Sequence, residues 1–356
     1  MKLALTYDDI QLVPGYSTIS SRKNIDLRTL VTRRYGVLNP LVASPMDTVC
    51  ELEMAFRMFL MGGVGCIHRF MTIEEQSKQV RTLRWKIYGE GFGGPFENWG
   101  IMDTDWHSEI AEIPIMAAVG SNGDYLERAA ELIKAGANII LIDVAHGHHE
   151  NVKIAIDNIK AINDRVDVIA GNIATAQAAE DLQDWGADGL RIGVGGGSLC
   201  TTRIKTGFGV PNVTCIQEIA AVAKVPVMAD GGIRASGDIA KALALGASTV
   251  MIGSLIAGTD EAPGQILEKK DGLYKRYRGA ASLETKTIHG QEARNVEGES
   301  TIIPYKGGVK FIINGLTDGI KSALSYAGAQ SLNKFCPEIV QVTNSGLAEA
   351  KPHLIS

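Results

Sequence analysis

Eight short apolar runs recur along the chain, at 41–46, 63–68, 115–120, 139–144, 166–172, 189–194, 225–232 and 249–254, and longer stretches of helical period separate them. Several runs are apolar almost throughout. Ile139-Ile140-Leu141-Ile142 has no polar position, as a parallel strand buried on both faces requires. Between the runs, 125–135, 174–185 and 236–245 read as amphipathic helices that end beside Gly136, Gly186 and Gly246. Eight strands alternating with helices predict an α/β chain folded as a (β/α)₈ TIM barrel, a single domain over residues 1–356. An open doubly wound sheet, with about six strands and a glycine-rich turn after the first, fits this order less well. Two stretches leave the repeat. Residues 87–112, with Gly89, Gly91, Gly93, Gly94, Pro95, Trp99 and Trp106, read as an irregular excursion too short for an inserted domain. Residues 283–304 are polar and read as a mobile flap over the active site.

Polar and glycine residues cluster where seven of the eight runs end: Ser44-Pro45-Met46-Asp47, His68-Arg69, Asp143 to His148, Gly171-Asn172, the loop after Ile192, Asp230-Gly231-Gly232 and Gly253-Ser254. In a barrel these are the C-terminal strand ends, where the chemistry sits. The last two pairs match the usual barrel phosphate site of backbone N–H groups and a helix start, which predicts a phosphorylated ligand.

The remaining decorated end reads Gly193-Val-Gly-Gly-Gly-Ser-Leu-Cys200-Thr-Thr-Arg203. Its glycines bring main-chain N–H groups close to a ligand, and Cys200 stands beside that ligand. Thr201, Thr202 and Arg203 offer hydroxyls and a charge that favour a thiolate, so Cys200 is the expected nucleophile rather than an inert core cysteine. As a dinucleotide fingerprint the segment fails, because it lacks the sixth-place glycine of G-x-G-x-x-G. The five cysteines (Cys50, Cys66, Cys200, Cys215, Cys336) show no C-x-x-C pairing, so neither zinc nor a disulfide framework is predicted. Hydrophobic residues make up 45% and charged ones 21%, with no long apolar span and no leader at Met1; a soluble, cytoplasmic protein is expected. A net charge of −5 gives no electrostatic reason to expect nucleic acid or an anionic membrane as a partner.

With Tyr7-Asp8-Asp9-Ile10, Ala43-Ser-Pro-Met-Asp-Thr-Val49, Gly193 through Arg203, Ala229-Asp-Gly-Gly-Ile-Arg234, Tyr277-Arg-Gly279 and Pro304-Tyr-Lys-Gly307 in order, the chain resembles the IMP dehydrogenase and GMP reductase family along nearly its whole length. The resemblance implies a cysteine thiolate that adds to C2 of a purine nucleotide to give a thioimidate, a place that Cys200 matches. In the flap, Glu292-Ala-Arg294-Asn-Val-Glu297-Gly298 is similar to the reductase pattern, as is Lys205-Thr206-Gly207, and no Arg-Tyr pair of the dehydrogenase type occurs between Ser282 and Pro304. This implies GMP reductase activity: GMP and NADPH give IMP and ammonia, with Glu297 and Thr202 handling protons.

The dehydrogenase, converting IMP with NAD to XMP, stays open. Asp143-Val-Ala-His-Gly-His148 and the tail from Ser345 to His353 look more like it, and there is no room for its regulatory CBS repeats. A nucleotide-binding protein that has lost turnover also stays open, because Arg69 stands where reductases carry lysine and Ala280 and Ala281 replace other residues at the base. The resemblance places Ser44, Met46, Asn172, Gly195, Gly197, Ser198 and Arg294 at the nucleotide. It places Asp230, Gly232, Gly253, Ser254, Tyr277 and Gly279 at ribose and phosphate, and Asp143, Ala145 and Arg69 at the cofactor. It further implies potassium at Gly193, Gly195 and Cys200, and a homotetramer.

Overall fold

The computed structural model describes residues 1–89, 113–288 and 296–349. Strands β1 (Leu41–Ala43), β2 (Val64–Ile67), β3 (Met116–Val119), β4 (Ile139–Asp143), β5 (Asp167–Ile173), β6 (Gly189–Ile192), β7 (Val227–Asp230) and β8 (Thr249–Ile252) pair in parallel and close into one barrel, β8 beside β1. The eight predicted runs are these eight strands, and the barrel is the predicted one. Seven of the runs are longer than their strands, because they count loop residues such as Ser44 and Ser254 that carry polar chemistry instead of ladder hydrogen bonds, and the run 166–172 is offset by one from Asp167–Ile173.

Alternation along the strands divides the apolar residues between two cores. Met116, Ala118, Ile139, Leu141 and Ile169 point into the barrel, with Val42, Cys66, Met228 and Met251. Their neighbours Ala117, Val119, Ile140 and Ile142 point outward and pack on the helices. The helices are α1 (Leu52–Leu60), α2 (Ile73–Tyr88), α3 (Tyr125–Ala135), α4 (Glu150–Ile162), α5 (Ala176–Asp184), the short α6 (Thr202–Thr206), α7 (Asn212–Ala220) and α8 (Ser236–Ala244). Helix α5 begins two residues later than predicted, since Thr175 Oγ1 accepts from Ala178 N at 3.2 Å and caps it. Ile87 belongs to α2, which corrects the start of the excursion; residues 90–112 lie outside the described ones.

A two-strand hairpin (Thr29–Leu30 with Gly36–Val37) closes the N-terminal end of the barrel, placing Val31, Tyr35 and Val37 in the interior cluster. It is latched by the fully buried Asp167, which accepts from Thr32 Oγ1 at 2.5 Å and Arg34 Nε at 2.7 Å. At the other end, β8 runs into turns from Gly253 instead of the helix start expected there. A three-stranded antiparallel sheet follows: β9 (Leu267–Lys269), β10 (Gly272–Arg278) and β11 (Ser300–Pro304).

The flap is therefore only partly what its polarity predicted. Residues 283–288 form the short helix α9 (Leu283–Ile288), and β11 is tied to β10 with Tyr277 opposite Thr301. Helix α10 (Val309–Tyr326) completes the outer ring against α8. Among the described residues, no helix is long and apolar enough to cross a membrane.

Candidate active site

The Cys200 loop leaves β6 through glycines that a side chain would block. Gly193 has φ +120°, and a Cβ there would lie 2.1 Å from the Asp230 carbonyl oxygen, so the loop presses directly on the end of β7. The loop then meets the return of the flap. Thr201 N donates to Glu297 O (2.9 Å) and Glu299 N to Leu199 O (3.0 Å), forming a short antiparallel bridge between Cys200 and Gly298. Glu297 N donates to Ala281 O (3.1 Å) and Gly279 N to Glu299 O (2.9 Å), which fixes the same segment from its other side.

These main-chain bonds bring together three side chains that lie up to 97 positions apart. The Cys200 thiol donates to Thr202 Oγ1 at 3.1 Å, and the Thr202 hydroxyl donates to Glu297 Oε2 at 2.7 Å. Cys200 is half-buried, whereas Cys50, Cys66 and Cys215 are fully buried. Burial pushes those three thiols up, Cys215 to about 12, so none of them forms a thiolate readily near neutral pH. Cys200 alone of the five has a carboxylate at the end of a hydrogen-bond line.

A cavity of about 630 Å³ opens over this line, lined by Cys200, Thr202, Glu297 and every residue that the resemblance assigns to nucleotide, cofactor or ion except Arg294, which lies outside the described residues. Ser198 Oγ and the hydroxyl of the buried Tyr277 are 2.9 Å apart on one wall, next to Gly253. Asp230 Oδ2 accepts from Asn172 Nδ2 at 2.9 Å and from Arg191 at 2.9 and 3.1 Å. Arg191 also pairs with Asp143. Burial opposes its charge, but the two carboxylates outweigh burial and hold the guanidinium firmly protonated. Sequence reading missed Arg191; the available signal was an arginine inside Gly189-Leu-Arg-Ile192, a strand otherwise fit for burial.

Other expected residues stand elsewhere. Arg203 does not line the cavity: its methylenes pack where a Cβ at Gly195 or Gly209 would stand, 2.5 and 2.6 Å away. His68 is buried beneath the site, with Nδ1 accepting from Phe70 N (3.0 Å) and Nε2 facing Glu51 Oε1 (3.0 Å). Asp47 pairs with Arg278 at 2.8 Å, and His148 pairs with Asp181 at 2.7 Å.

Elsewhere on the cavity wall, Arg69 lies over the Phe70 ring (4.9 Å) and 3.8 Å from Asp143, and its buried Nε has no hydrogen-bond partner. A buried N–H without an acceptor beside a cavity suits an oxygen-rich ligand such as a nicotinamide dinucleotide. Potassium fits less well. The Gly193 carbonyl already accepts from Asn172 Nδ2 at 2.7 Å, and the three carbonyls of Gly193, Gly195 and Cys200 fall short of the roughly six oxygens a hard cation takes.

A half-buried thiol in a hydrogen-bond line, a carboxylate held by Asn172 and Arg191, and a serine–tyrosine pair share one cavity in the mouth of a (β/α)₈ barrel, the arrangement of an enzyme site. The comparisons give the particular family: the model described as "IMP dehydrogenase / GMP reductase domain" matches residues 4–353, and the chain belongs to this family. It is similar to inosine-5′-monophosphate dehydrogenase of Nitrosopumilus maritimus (34% identity; 99% of this chain, 98% of that protein) and to that of Cryptosporidium parvum (38%; 98% and 94%). It is equally similar to GMP reductase of Leishmania major, at 33% identity over 99% of this chain and 97% of that one. Among solved structures, a cysteine-to-alanine variant of Trypanosoma brucei GMP reductase in complex with guanosine 5′-monophosphate superposes with a TM-score of 0.89. It is 30% identical and covers 100% of this chain and 99% of that one.

Proposed function

We propose that this chain reduces GMP to IMP and ammonia with NADPH, through a covalent adduct on Cys200. The observation that carries the reading is the continuous line from Cys200 Sγ through Thr202 Oγ1 to Glu297 Oε2. Such a line moves a proton off the thiol and stores it on a carboxyl group, from which it can return to a leaving amine.

As the Cys200 proton passes to Thr202, the threonine's own proton passes to Glu297, the sulfur electron pair bonds to C2 of the purine, and the C2=N3 π pair moves onto N3, to re-form C2=N3 when the amine leaves. Glu297 then returns its proton through Thr202 to the 2-amino nitrogen. The C2–N bond breaks with its electron pair on nitrogen, leaving a thioimidate on Cys200. Arg69, Asp143 and Ala145 would hold NADPH, which would supply hydride to C2 as the C2=N3 π pair moves onto N3, to re-form C2=N3 when sulfur leaves. The C2–S bond then breaks, its pair returning to the Cys200 sulfur. Overall, GMP, NADPH and two protons give IMP, NADP⁺ and ammonium.

Around this chemistry, Ser44, Met46, Asn172, Gly195 and Gly197 would face the base, and Arg294 the nucleotide or cofactor. Asp230, held at Oδ2 by Asn172 and Arg191, keeps Oδ1 for the ribose hydroxyls. Gly232, Gly253, Ser254, Gly279, Ser198 and Tyr277 would take the phosphate. The complex of the Trypanosoma brucei reductase with guanosine 5′-monophosphate supports a purine mononucleotide as substrate.

The test is ammonia release from GMP with NADPH, which Glu297→Gln should lower by about a hundredfold or more. A second reading, IMP dehydrogenase, is favoured by the relatives of that name at matching identity. Formation of NADH from IMP, with no ammonia from GMP, would replace the first reading by the second. Tight nucleotide binding with neither reaction would make the chain a binding protein.

A further inference from the structure

The turn after β8 carries Gly253 and Ser254 into the cavity, and its carbonyl groups are held from behind by two lysines. Lys306 Nζ donates to Ser254 O at 2.6 Å and Leu255 O at 3.1 Å. Lys275 Nζ donates to Thr259 O at 3.0 Å and Ala262 O at 2.5 Å, within the same turn segment. Lys275 is almost completely buried, at 3% exposure, although a lysine normally leaves its ammonium in water. It stands two residues before Tyr277 on β10, so both point to the face of the sheet that lies over the turn. Lys306 follows the end of β11, two positions after Pro304.

Carbonyl and N–H of a trans peptide point in opposite directions, so an ammonium on the Ser254 carbonyl fixes the direction of the Leu255 N–H. It also strengthens that N–H as a donor, because hydrogen bonds at the two ends of a peptide polarise each other. Among the described residues, no acceptor engages the N–H of Ser254 or Leu255. The N–H of Ile256, by contrast, is spent on Gly253 O at 3.1 Å.

We propose that Lys306 is a positioning residue for the nucleotide 5′-phosphate, acting through the Leu255 N–H, whose peptide it holds at the Ser254 carbonyl, rather than by touching the phosphate. Lys275 secures the far end of the same turn. The inference rests on the reading above that Gly253 and Ser254 receive a phosphate. Lys306 also follows closely on the strand that leads back to Glu297, so phosphate binding and seating of the proton-handling carboxylate share one piece of backbone.

Affinity measured separately for a nucleoside 5′-monophosphate and for its nucleoside tests this, by ligand-observed NMR titration of GMP, IMP, guanosine and inosine. Lys306→Met should weaken both monophosphates by about tenfold, leave both nucleosides within about twofold, and keep the thermal midpoint, since Lys306 is an exposed residue. Lys306→Arg, which restores a cationic donor, should recover most of the loss. An equal loss for nucleosides and monophosphates, or no loss for either, would overturn the role given to Lys306. If the unmodified protein bound monophosphates no better than nucleosides, the phosphate reading itself would fall, independently of what the lysine does.

Discussion

The two ends of the barrel bury charge in different ways. At the closed end, Asp167 is fully buried and its oxygens are taken by Thr32 and Arg34, all from one hairpin. At the open end, Asp143, Arg191 and Asp230 form an equally close group, yet Arg69 Nε is left without a partner, Asp230 keeps an oxygen, and Cys200 stays half-exposed. A polar cluster that satisfies itself holds the fold together, whereas one that leaves groups over is built to be completed by something else.

That contrast breaks most sharply at the thiol. Cys200→Ala should lower turnover by about a thousandfold or more while leaving nucleotide affinity and the unfolding midpoint close to unchanged. Retained turnover in a steady-state assay would remove the nucleophile from the account. Glu297→Gln should cost about a hundredfold in ammonia release with little change in adduct-free binding, because it keeps the shape and removes the proton store. Rapid-quench mass spectrometry should find the adduct on Cys200 form slowly or not at all in this variant.

At the closed end the effect should move from rate to stability. Asp167→Ala, which leaves Thr32 and Arg34 without their acceptor, should destabilise by about 2 kcal/mol in urea unfolding with kcat/KM unchanged. A large fall in kcat/KM would show that the two ends are not separable.

The smallest effect is at Glu51, whose carboxyl is held below its ordinary range chiefly by its hydrogen bond with His68. A carboxyl lowered in the folded state contributes stability above its unfolded value, near pH 4.3, and loses it as pH falls through the folded value. Urea midpoints at pH 6 and below pH 4.3 should therefore converge more in Glu51→Gln than in the parent chain. An unchanged acid limb would mean the pair does not couple to folding.

How much of this could be read from the chain follows the range of the forces involved. Strands such as Ile139–Asp143 announce themselves because burial on both faces excludes polar residues locally. Cys200 and its glycines were legible for a similar reason, since the close approach to Asp230 admits no Cβ. Glu297 was placed by resemblance, because its contact with Thr202 depends on a tertiary bridge that no local pattern encodes. The pairing of Ile10–Leu12 with Ile339–Gln341, and the sheet that anchors the flap, were missed because such pairings are set by packing far along the chain. That Arg203 stays off the cavity wall was not legible, because sequence adjacency to a cysteine says nothing about which way a side chain turns at the start of a helix.

The bridge between the cysteine loop and the end of the flap has one more implication. Its bonds, Thr201 N to Glu297 O and Glu299 N to Leu199 O, are made by peptide groups that every amino acid possesses. The location of position 297 is thus written into the main chain, while the reagent delivered there is left to a single codon. A scaffold wired in this manner can exchange the side chain at 297, and under the proposed function one reaction for another, without rebuilding the cavity around it.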